Sequence, residues 1–428
     1  MYWKGLPSLL IIFGRYPLPG KVKTRLIPHL GPVGSADLQR RLTEDIVKEA
    51  RRISYISDIA FFYKGGSKEL LRRWLGRDII FVPQSDDDLG RSMRDAIDWG
   101  IRRGYEKIVL IGTDIYGLRA EYIEEAFNRL EKYDLVIGPS EDGGYWLIGM
   151  KGLIEDVFFG IDWGTDRVLD QTLAVLRKRR IGFSLLNRLM DIDTIEDLKR
   201  AKIDINPFLS VIIPTLNEED NIRNSIISAR CPDSEIIVVD GGSRDRTLDI
   251  AKGLGARIIR TEKGRAIQQN IGAKEARGEV LVFLHADTRL PRGYSYDIFH
   301  VTMDKELLVG AFLFKTDMDH PIMKLIEAVA NIRSKFLSLP YGDQAFFIRK
   351  ERFKEIGGFP IVPIAEDLYF IYRAFKIGKV RIVPRAAITS SRKWKRYGIV
   401  KTTAFHWKVL FRFLLENIRT RLWTHFMQ

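Results

Sequence analysis

Short, unbroken apolar runs alternate along the chain with stretches of helical periodicity. Leu9 to Phe13 leads into a loop rich in Gly and Pro and then a helical pattern, and Val211 to Ile213 begins the same succession again. A strand buried on both faces has no polar side to show, so this is the signature of a parallel strand feeding a loop and a helix. Further strands are predicted at Ile59 to Tyr63, Ile79 to Val82, Ile108 to Ile111 and Leu135 to Ile137, with a helix over Ala120 to Tyr133. In the second half they are predicted at Glu235 to Val239, Arg257 to Arg260, Val280 to Leu284, Val309 to Phe314 and Ala345 to Ile348. The alternation predicts an α/β protein with mostly parallel sheets flanked by helices. The restart near residue 208 and the stretch Asp204 to Pro207 divide the chain into domains 1–204 and 205–428.

The length of 428 residues suits two domains of ordinary size, and 46% hydrophobic with 29% charged residues is a globular composition. Net charge is +14, which favours phosphate-bearing ligands, nucleic acid or anionic lipid. From Arg392 onward there are nine Lys or Arg and one acid, Glu416, so most of the excess lies in the tail. A single cysteine, Cys231, excludes a disulfide framework and a multi-cysteine metal site, and points to a cytoplasmic or cytoplasm-facing protein. The run at Leu9 is too short for a signal peptide, and no stretch approaches a bilayer span.

In an open α/β sheet, ligands bind beyond the carboxyl ends of the strands, so the residues after each apolar run carry the functional reading. In the second half these are Pro214-Thr215-Leu216-Asn217-Glu218, Asp240-Gly241-Gly242-Ser243 and His285-Ala286-Asp287-Thr288. One strand-end Asp such as Asp240 is equally well read as a turn former. Three clusters along one sheet edge favour a nucleotide site. An Asp there can bind ribose or base, and Asp287 with His285 can hold a divalent cation on a diphosphate. Lys263-Gly264-Arg265 opens a helix and offers Arg265 to the phosphates. Glu366 and Asp367 open another helical pattern. They serve the helix dipole or, at a pocket mouth, deprotonate an acceptor hydroxyl.

The order SVIIPTLNEEDNI, IIVVDGGSRDRT, HADT, YGDQAFFIRKERFKEIGGFP and AEDLYFIYRAFKIGK, over nearly all of residues 208–395, resembles the family-2 glycosyltransferases. The resemblance implies a nucleotide-diphospho-sugar-binding (GT-A, Rossmann-like) fold and inverting transfer. It implies nucleotide contacts at Thr215, Glu218 and Asp240, metal and diphosphate at Asp287, and Asp367 as base. Arg392 and Trp394 resemble the family's late Arg/Trp element beside the diphosphate. Asp343 is a second candidate for acceptor contact. The family's usual D-x-D is His285-Ala286-Asp287 here, and His suits Mn²⁺ better than Mg²⁺.

In the first half, Gly14, Arg15, Gly20, Lys21, Lys23, Thr24 and Arg25 lie in the loop after the first strand. Two glycines among four cations can wrap a di- or triphosphate, although the P-loop spacing is absent and a solvated basic loop is the plainer alternative. Asp114 ends another strand, and Gly143 and Gly144 permit close backbone approach to a ligand. Thr194 with Asp197 reads as a helix N-cap. Asp191 and Asp193 just upstream are free to complete a metal site with Asp114.

GRYPLPGKVKTRL, GTDIYGL, GPSEDGGYWLIGM, FGIDWGT and DIDTIEDL resemble a transferase family with a nucleotidyltransferase-like fold, over about residues 9–200. The last motif is also similar to that of molybdenum-cofactor cytidylyltransferases. Members are often fused to family-2-like partners, a pairing linked by association to arsenosugar biosynthesis. The resemblance implies a second nucleotide-dependent transferase, leaving glycosyl or nucleotidyl transfer open.

Beyond Gly398, Trp407, Leu410, Phe411, Leu414, Leu415, Ile418 and Leu422 recur at helical spacing, with Lys408, Arg412 and Arg419 between them. A helix packed on its own domain accounts for this. So does an interfacial helix on anionic lipid with Trp407 and Trp423 at the headgroups, which suits a lipid-linked acceptor and peripheral attachment to the cytoplasmic face of a membrane. The expectation is a glycosyltransferase acting from a nucleotide-sugar donor with Mn²⁺ or Mg²⁺. The first alternative is a bifunctional enzyme whose first domain makes the activated sugar. A nucleic-acid-binding or scaffold protein is the alternative of another class, disfavoured because no nucleic-acid motif is present and the charge is concentrated in the tail.

Overall fold

The computed structural model describes residues 7–426, with side chains through residue 413 and at Leu415. The chain divides into two compact units, residues 1–205 and 206–428. In the first, β1 (Ser8–Arg15), β2 (Asp58–Lys64), β3 (Ile80–Pro83), β4 (Lys107–Gly112), β5 (Leu135–Pro139), β6 (Tyr145–Lys151) and β7 (Phe183–Leu185) form one sheet in the order 3-2-1-4-6-5-7. β3, β2, β1 and β4 run parallel, and β6 is antiparallel to both of its neighbours.

The second sheet contains β8 (Leu209–Thr215), β9 (Ser234–Asp240), β10 (Arg257–Arg260), β11 (Val280–Phe283), β12 (Thr288–Arg289), β13 (Leu307–Thr316), β14 (Phe346–Arg349) and β15 (Lys379–Thr389). Its order is 10-9-8-11-14-13-15-12. Without the two-residue β12 this is the first unit's order again, with β14 the reversed strand. Two sheets of one topology, each flanked by helices, make both units α/β, as the alternation predicts.

The apolar runs are strands because they are central. Every residue of β8 is buried, and β1 is buried from Ser8 to Ile12. The strands that the pattern misses are peripheral or glycine-rich. β15 alternates Lys and Arg with apolar residues on a partly exposed strand, and β6 begins directly after Gly143-Gly144. The first helix predicted is shorter than the pattern, Ala120–Arg129. Thr194 caps the helix Ile195–Arg200 in a reciprocal capping box with Asp197.

The tail forms the helix Ile399–Phe426. It does not sort into one apolar and one basic side. Leu410 and Phe413 pack on Leu368, with the Phe413 ring edge-on to Tyr369 and Tyr372. Trp407, Phe411 and Leu415 are exposed beside Lys408 and Arg412. Leu414, Glu416, Ile418, Arg419, Leu422 and Trp423 lie outside the described side chains.

Candidate active sites

In the second unit, the strand ends and two later segments enclose a cavity of about 240 Å³. His285 and Asp287 follow β11, and Asp343 lies in the single turn Gly342–Gln344. Asp367 opens the helix Glu366–Ile377, and Arg265 opens the helix Arg265–Glu275. Trp394 and the tail residues Phe405 and His406 complete the wall.

Asp367 is fixed from two sides. The Gly342 amide donates to its Oδ2 at 2.8 Å, and the Leu368 amide donates to Oδ1 at 2.9 Å. Gly342 has to be glycine for steric reasons, since a Cβ there would lie 2.8 Å from His285 Nε2 and 3.3 Å from Asp367 Oδ2. The residue before the pair, Ala365, has φ 66°, a left-handed conformation that costs a non-glycine residue on the order of 1–3 kcal/mol. Glu366 is used otherwise than Asp367. It is buried, and its Oε1 accepts from Arg265 Nη1 at 3.0 Å.

His285 is half-buried with its Nε2 enclosed, and desolvation first, then Arg265 and Lys393, hold its imidazole well below the usual histidine range, so it is neutral. Its Nε2 has no hydrogen-bond partner. The Asp287 carboxylate accepts only a long bond from Thr288 Oγ1 at 3.5 Å. Burial pushes Asp343 up to about 6, with Asp367 and Asp287 adding to the rise and Arg333 and Lys393 opposing it.

Of the nucleotide candidates of the second unit, Arg265 and Trp394 line this cavity, and Pro214, Thr215, Asn217, Glu218, Asp240, Gly241 and Arg392 lie outside its lining. Glu218 pairs with Arg392, whose Nη2 donates at 2.7 and 3.0 Å across 174 positions of sequence. Asn217 has φ 54° and accepts from the Arg244 amide, tying the β8 and β9 loops together. The Asp240 carboxylate accepts from the Gly242 and Ser243 amides and the Ser243 hydroxyl, so here it closes its own turn. Pro214 is buried in β8, and Thr215 Oγ1 is buried without a partner. A side chain on Gly241 would press on Gln268 and Lys263 at 3.3 Å.

The first unit has a larger cavity, about 560 Å³, at the corresponding sheet edge. Gly14, Arg15, Lys23, Thr24, Arg25, Asp114, Gly144, Asp191 and Asp193 all line it. Gly20 and Lys21 stand outside the lining, on the exposed stretch of the loop. Gly143 is also outside, because its close approach is to protein: a Cβ there would meet the Asp166 carbonyl oxygen at 2.1 Å. Gln39, Gln84, Asp142 and Trp163 line the cavity without having been singled out in the sequence. Only Asp142 had a signal, its place before Gly143-Gly144.

The acids expected to share a metal ion do converge, but on a lysine. Lys23 Nζ lies 2.9 Å from Asp114 Oδ1 and 2.9 Å from Asp193 Oδ1, and its side chain is 3% exposed. Burial alone would lower its pKa, and the two carboxylates outweigh that and raise it. The ammonium takes the place between them that an ion would, and is itself desolvated there. Burial first, then Asp142 and Asp193, push Asp191 up to about 6. Among the described residues, no three His, Cys, Asp or Glu side chains converge closely enough to hold an ion by themselves.

Residues 47–165 match the family described as an uncharacterized protein conserved in bacteria (DUF2064), and residues 210–358 match Glycosyl transferase family 2. The chain therefore joins a DUF2064 domain to a family-2 glycosyl transferase domain in tandem. A PGL/p-HBAD biosynthesis glycosyltransferase of Mycobacterium bovis is 43% identical over 94 residues, 20% of this chain and 37% of that protein. A 2-phospho-L-lactate guanylyltransferase of Methanocaldococcus jannaschii is 24% identical over 198 residues, 41% of this chain and 81% of that protein. The solved structure of a candidate nucleotide-diphospho-sugar transferase from Desulfovibrio desulfuricans G20 is 36% identical. That match covers 45% of this chain and 85% of that one, with a TM-score of 0.43. The chain thus spans only about a third of the length of the mycobacterial relatives it matches.

Proposed function

We propose that the second unit transfers a sugar, with inversion, from a nucleotide-diphosphate donor to an acceptor hydroxyl. The observation that carries this reading is the cavity in which Asp367, held by the Gly342 amide, shares a wall with the strand-end Asp287; Asp287 and Gly342 lie inside the segment 210–358 that matches Glycosyl transferase family 2, and Asp367 follows it. Asp367 takes the acceptor O–H proton as that oxygen attacks the sugar's anomeric carbon. The bond from that carbon to the diphosphate oxygen breaks, and the nucleoside diphosphate leaves. Arg265, Lys393 and Arg392 are the cations available to the leaving charge.

A divalent cation fits the donor set at one place. His285 Nε2, neutral and orphaned in a buried position, and the nearly unengaged Asp287 carboxylate would be the protein's donors to Mn²⁺ or Mg²⁺. Bound there, the ion neutralises charge on the leaving diphosphate.

For the first unit we infer a second nucleotide-dependent transferase, with phosphates meeting Arg15, Lys23 and Arg25. The similarity to a guanylyltransferase favours nucleotidyl transfer, which would make the activated sugar that the second unit uses. Pyrophosphate release by the full chain from an NTP and a sugar 1-phosphate tests this. Its absence across all four NTPs and a panel of sugar phosphates returns the first unit to glycosyl transfer. A lipid-linked acceptor and attachment to an anionic membrane face belong to the same reading. They are supported by the exposed apolar and basic side chains of the tail helix. No helix among the described residues is long and apolar enough to cross a membrane.

A further inference from the structure

The catalytic cavity of the second unit has an apolar neighbour. A second cavity, about 220 Å³, shares Tyr341, Asp343, Trp394 and His406 with it. Its other walls come from one face of the helix Pro321–Leu337, notably Leu325, Ile326, Val329 and Ala330, and from Phe314 and Trp407.

The two ends of this cavity differ in chemistry. At the inner end Asp343 borders the catalytic cavity, and the Arg333 guanidinium lies 3.5 Å over the centre of the Tyr341 ring. At the outer end Leu325 is 65% exposed and Trp407 52%. The buried indole N–H of Trp394 has no partner, and it lines both cavities.

The surface around the opening continues the apolar character. Ile322, Leu325, Val329, Ile332 and Phe336 are all exposed, at successive spacings of three and four residues, so they form one stripe along the helix. Phe336 is 81% exposed. The tail helix adds Trp407 at the opening and carries Val400 and Phe411 exposed on the same helix. Lys324, Lys335, Lys401 and Lys408 are exposed on the same two helices. An apolar patch with cations around it marks a surface that meets an amphiphile or a lipid headgroup layer.

We propose that this cavity is the acceptor's apolar subsite. It holds the first part of an acyl or isoprenoid chain whose polar head presents its hydroxyl at Asp367, and the two helices draw that acceptor from an anionic lipid surface. The inference rests on the transfer reading above and adds to its lipid-linked acceptor the place that takes the chain. The shared wall of the two cavities, Tyr341, Asp343, Trp394 and His406, supports it, because an amphiphile would have its head on the catalytic side and its chain toward the exposed stripe.

The test uses the full chain and n-alkyl glucosides from butyl to dodecyl, each below its micelle concentration, with binding measured by calorimetry. Affinity is expected to rise about fourfold per added methylene until the cavity is full. Ala330→Trp, which fills the wall, should flatten that series. Val329→Trp, at the more exposed opening, should do the same if the first variant folds poorly. Equal affinity for butyl and dodecyl glucosides, or an unchanged series in both variants, overturns the subsite. Flotation with phosphatidylglycerol vesicles, and none with phosphatidylcholine vesicles, is expected for the lipid surface. Chain-length dependence with no vesicle binding overturns that part, leaving a free amphiphile as acceptor. Donor-induced thermal shifts on the same samples keep the two readings apart. If no nucleotide-sugar binds, the transfer reading fails, and the alkyl series still decides whether the cavity takes a chain.

Discussion

Arg265 Nη1 donates to Glu366 Oε1 at 3.0 Å, across 101 positions of sequence. This bond divides two adjacent acids. Glu366 is buried against its cation and holds the start of one helix to the start of another. Asp367 faces the cavity with its carboxylate oriented by two backbone amides. Glu366 is engaged by its guanidinium and Asp367 is open to the cavity, so in the proposed transfer Asp367 is the base and Glu366 its positioning residue.

Asp367→Asn should therefore leave nucleotide-sugar binding intact and lower turnover on the order of 10²–10⁴-fold. Glu366→Gln keeps the shape and loses the charge pair. It should lower stability by about 1–3 kcal/mol, with a smaller loss of turnover. Measured kcat and urea midpoints for the two variants decide it. Full activity in the Asp367 variant would move the role to Asp343.

Lys23→Met leaves Asp114 and Asp193 facing each other without their cation. Breaking a fully buried pair costs about 3–5 kcal/mol, and the carboxylates here are 49% and 45% exposed, so about 1–3 is expected. The variant should also open to an ion the place between two carboxylates that the lysine ammonium occupies. Mn²⁺ should raise its Tm more than it raises that of the wild type. Equal shifts would mean that the acids separate when the lysine is gone.

Gly342→Ala tests packing at the base. The added methyl would sit 2.8 Å from His285 Nε2, so the turn or the imidazole must move. A loss of about 1–3 kcal/mol is expected, with a fall in kcat because the Gly342 amide is one of the two donors that orient Asp367. Unchanged kcat in a destabilised variant would show that this hydrogen bond does not matter for turnover.

The sequence makes the central strands legible because burial on both faces leaves runs of apolar residues, and strand-end polar clusters follow from reading those runs. Asp287, Asp343, Asp367, Arg265 and Trp394 converge as neighbours of one cavity, yet their order along the chain says nothing of which acid meets which base. Lys23 belongs to a basic loop in sequence and sits between two acids in space, 91 and 170 positions away. β15 escapes the pattern because its exposed positions carry Lys and Arg, and the helix Pro321–Leu337 because its apolar stripe is on the outside. Periodicity reports that a face is apolar but not which way the face points.

Asp343 gives a pH dependence with a definite sign. Its folded pKa is raised, to about 6 from an ordinary 3.8. The stabilisation is therefore fully present below about pH 3.8 and is lost as pH rises through 6, because burial opposes the charged form. Asp343→Asn cannot ionise and should remove that slope, leaving the variant more stable than the wild type at pH 7 by on the order of 1–3 kcal/mol. Denaturation midpoints at pH 4.5, 6 and 7.5 for both proteins measure it. Parallel curves would show that Asp343 ionises without cost.

The role proposed for Asp287 is separable from that of the base because it would act on the donor alone. Its carboxylate accepts a long bond from Thr288 Oγ1, and the neutral, unpartnered His285 Nε2 stands two residues before it. With Mn²⁺ and its matching nucleotide-sugar at 100 times Kd, the wild-type chain should gain about 2.7 kcal/mol. For a unit of this size that is a rise of roughly 5–10 °C in the melting of the second unit. In Asp287→Asn the manganese-dependent part of the rise should disappear, while any part seen in EDTA remains, since Arg265, Lys393 and Arg392 are still present to meet the diphosphate. His285→Ala should lose less, because an ion shared with the diphosphate keeps its carboxylate ligand. If the Asp287 variant keeps the full manganese-dependent shift, the ion is held elsewhere, and Asp287 acts on the donor by charge and hydrogen bonding alone.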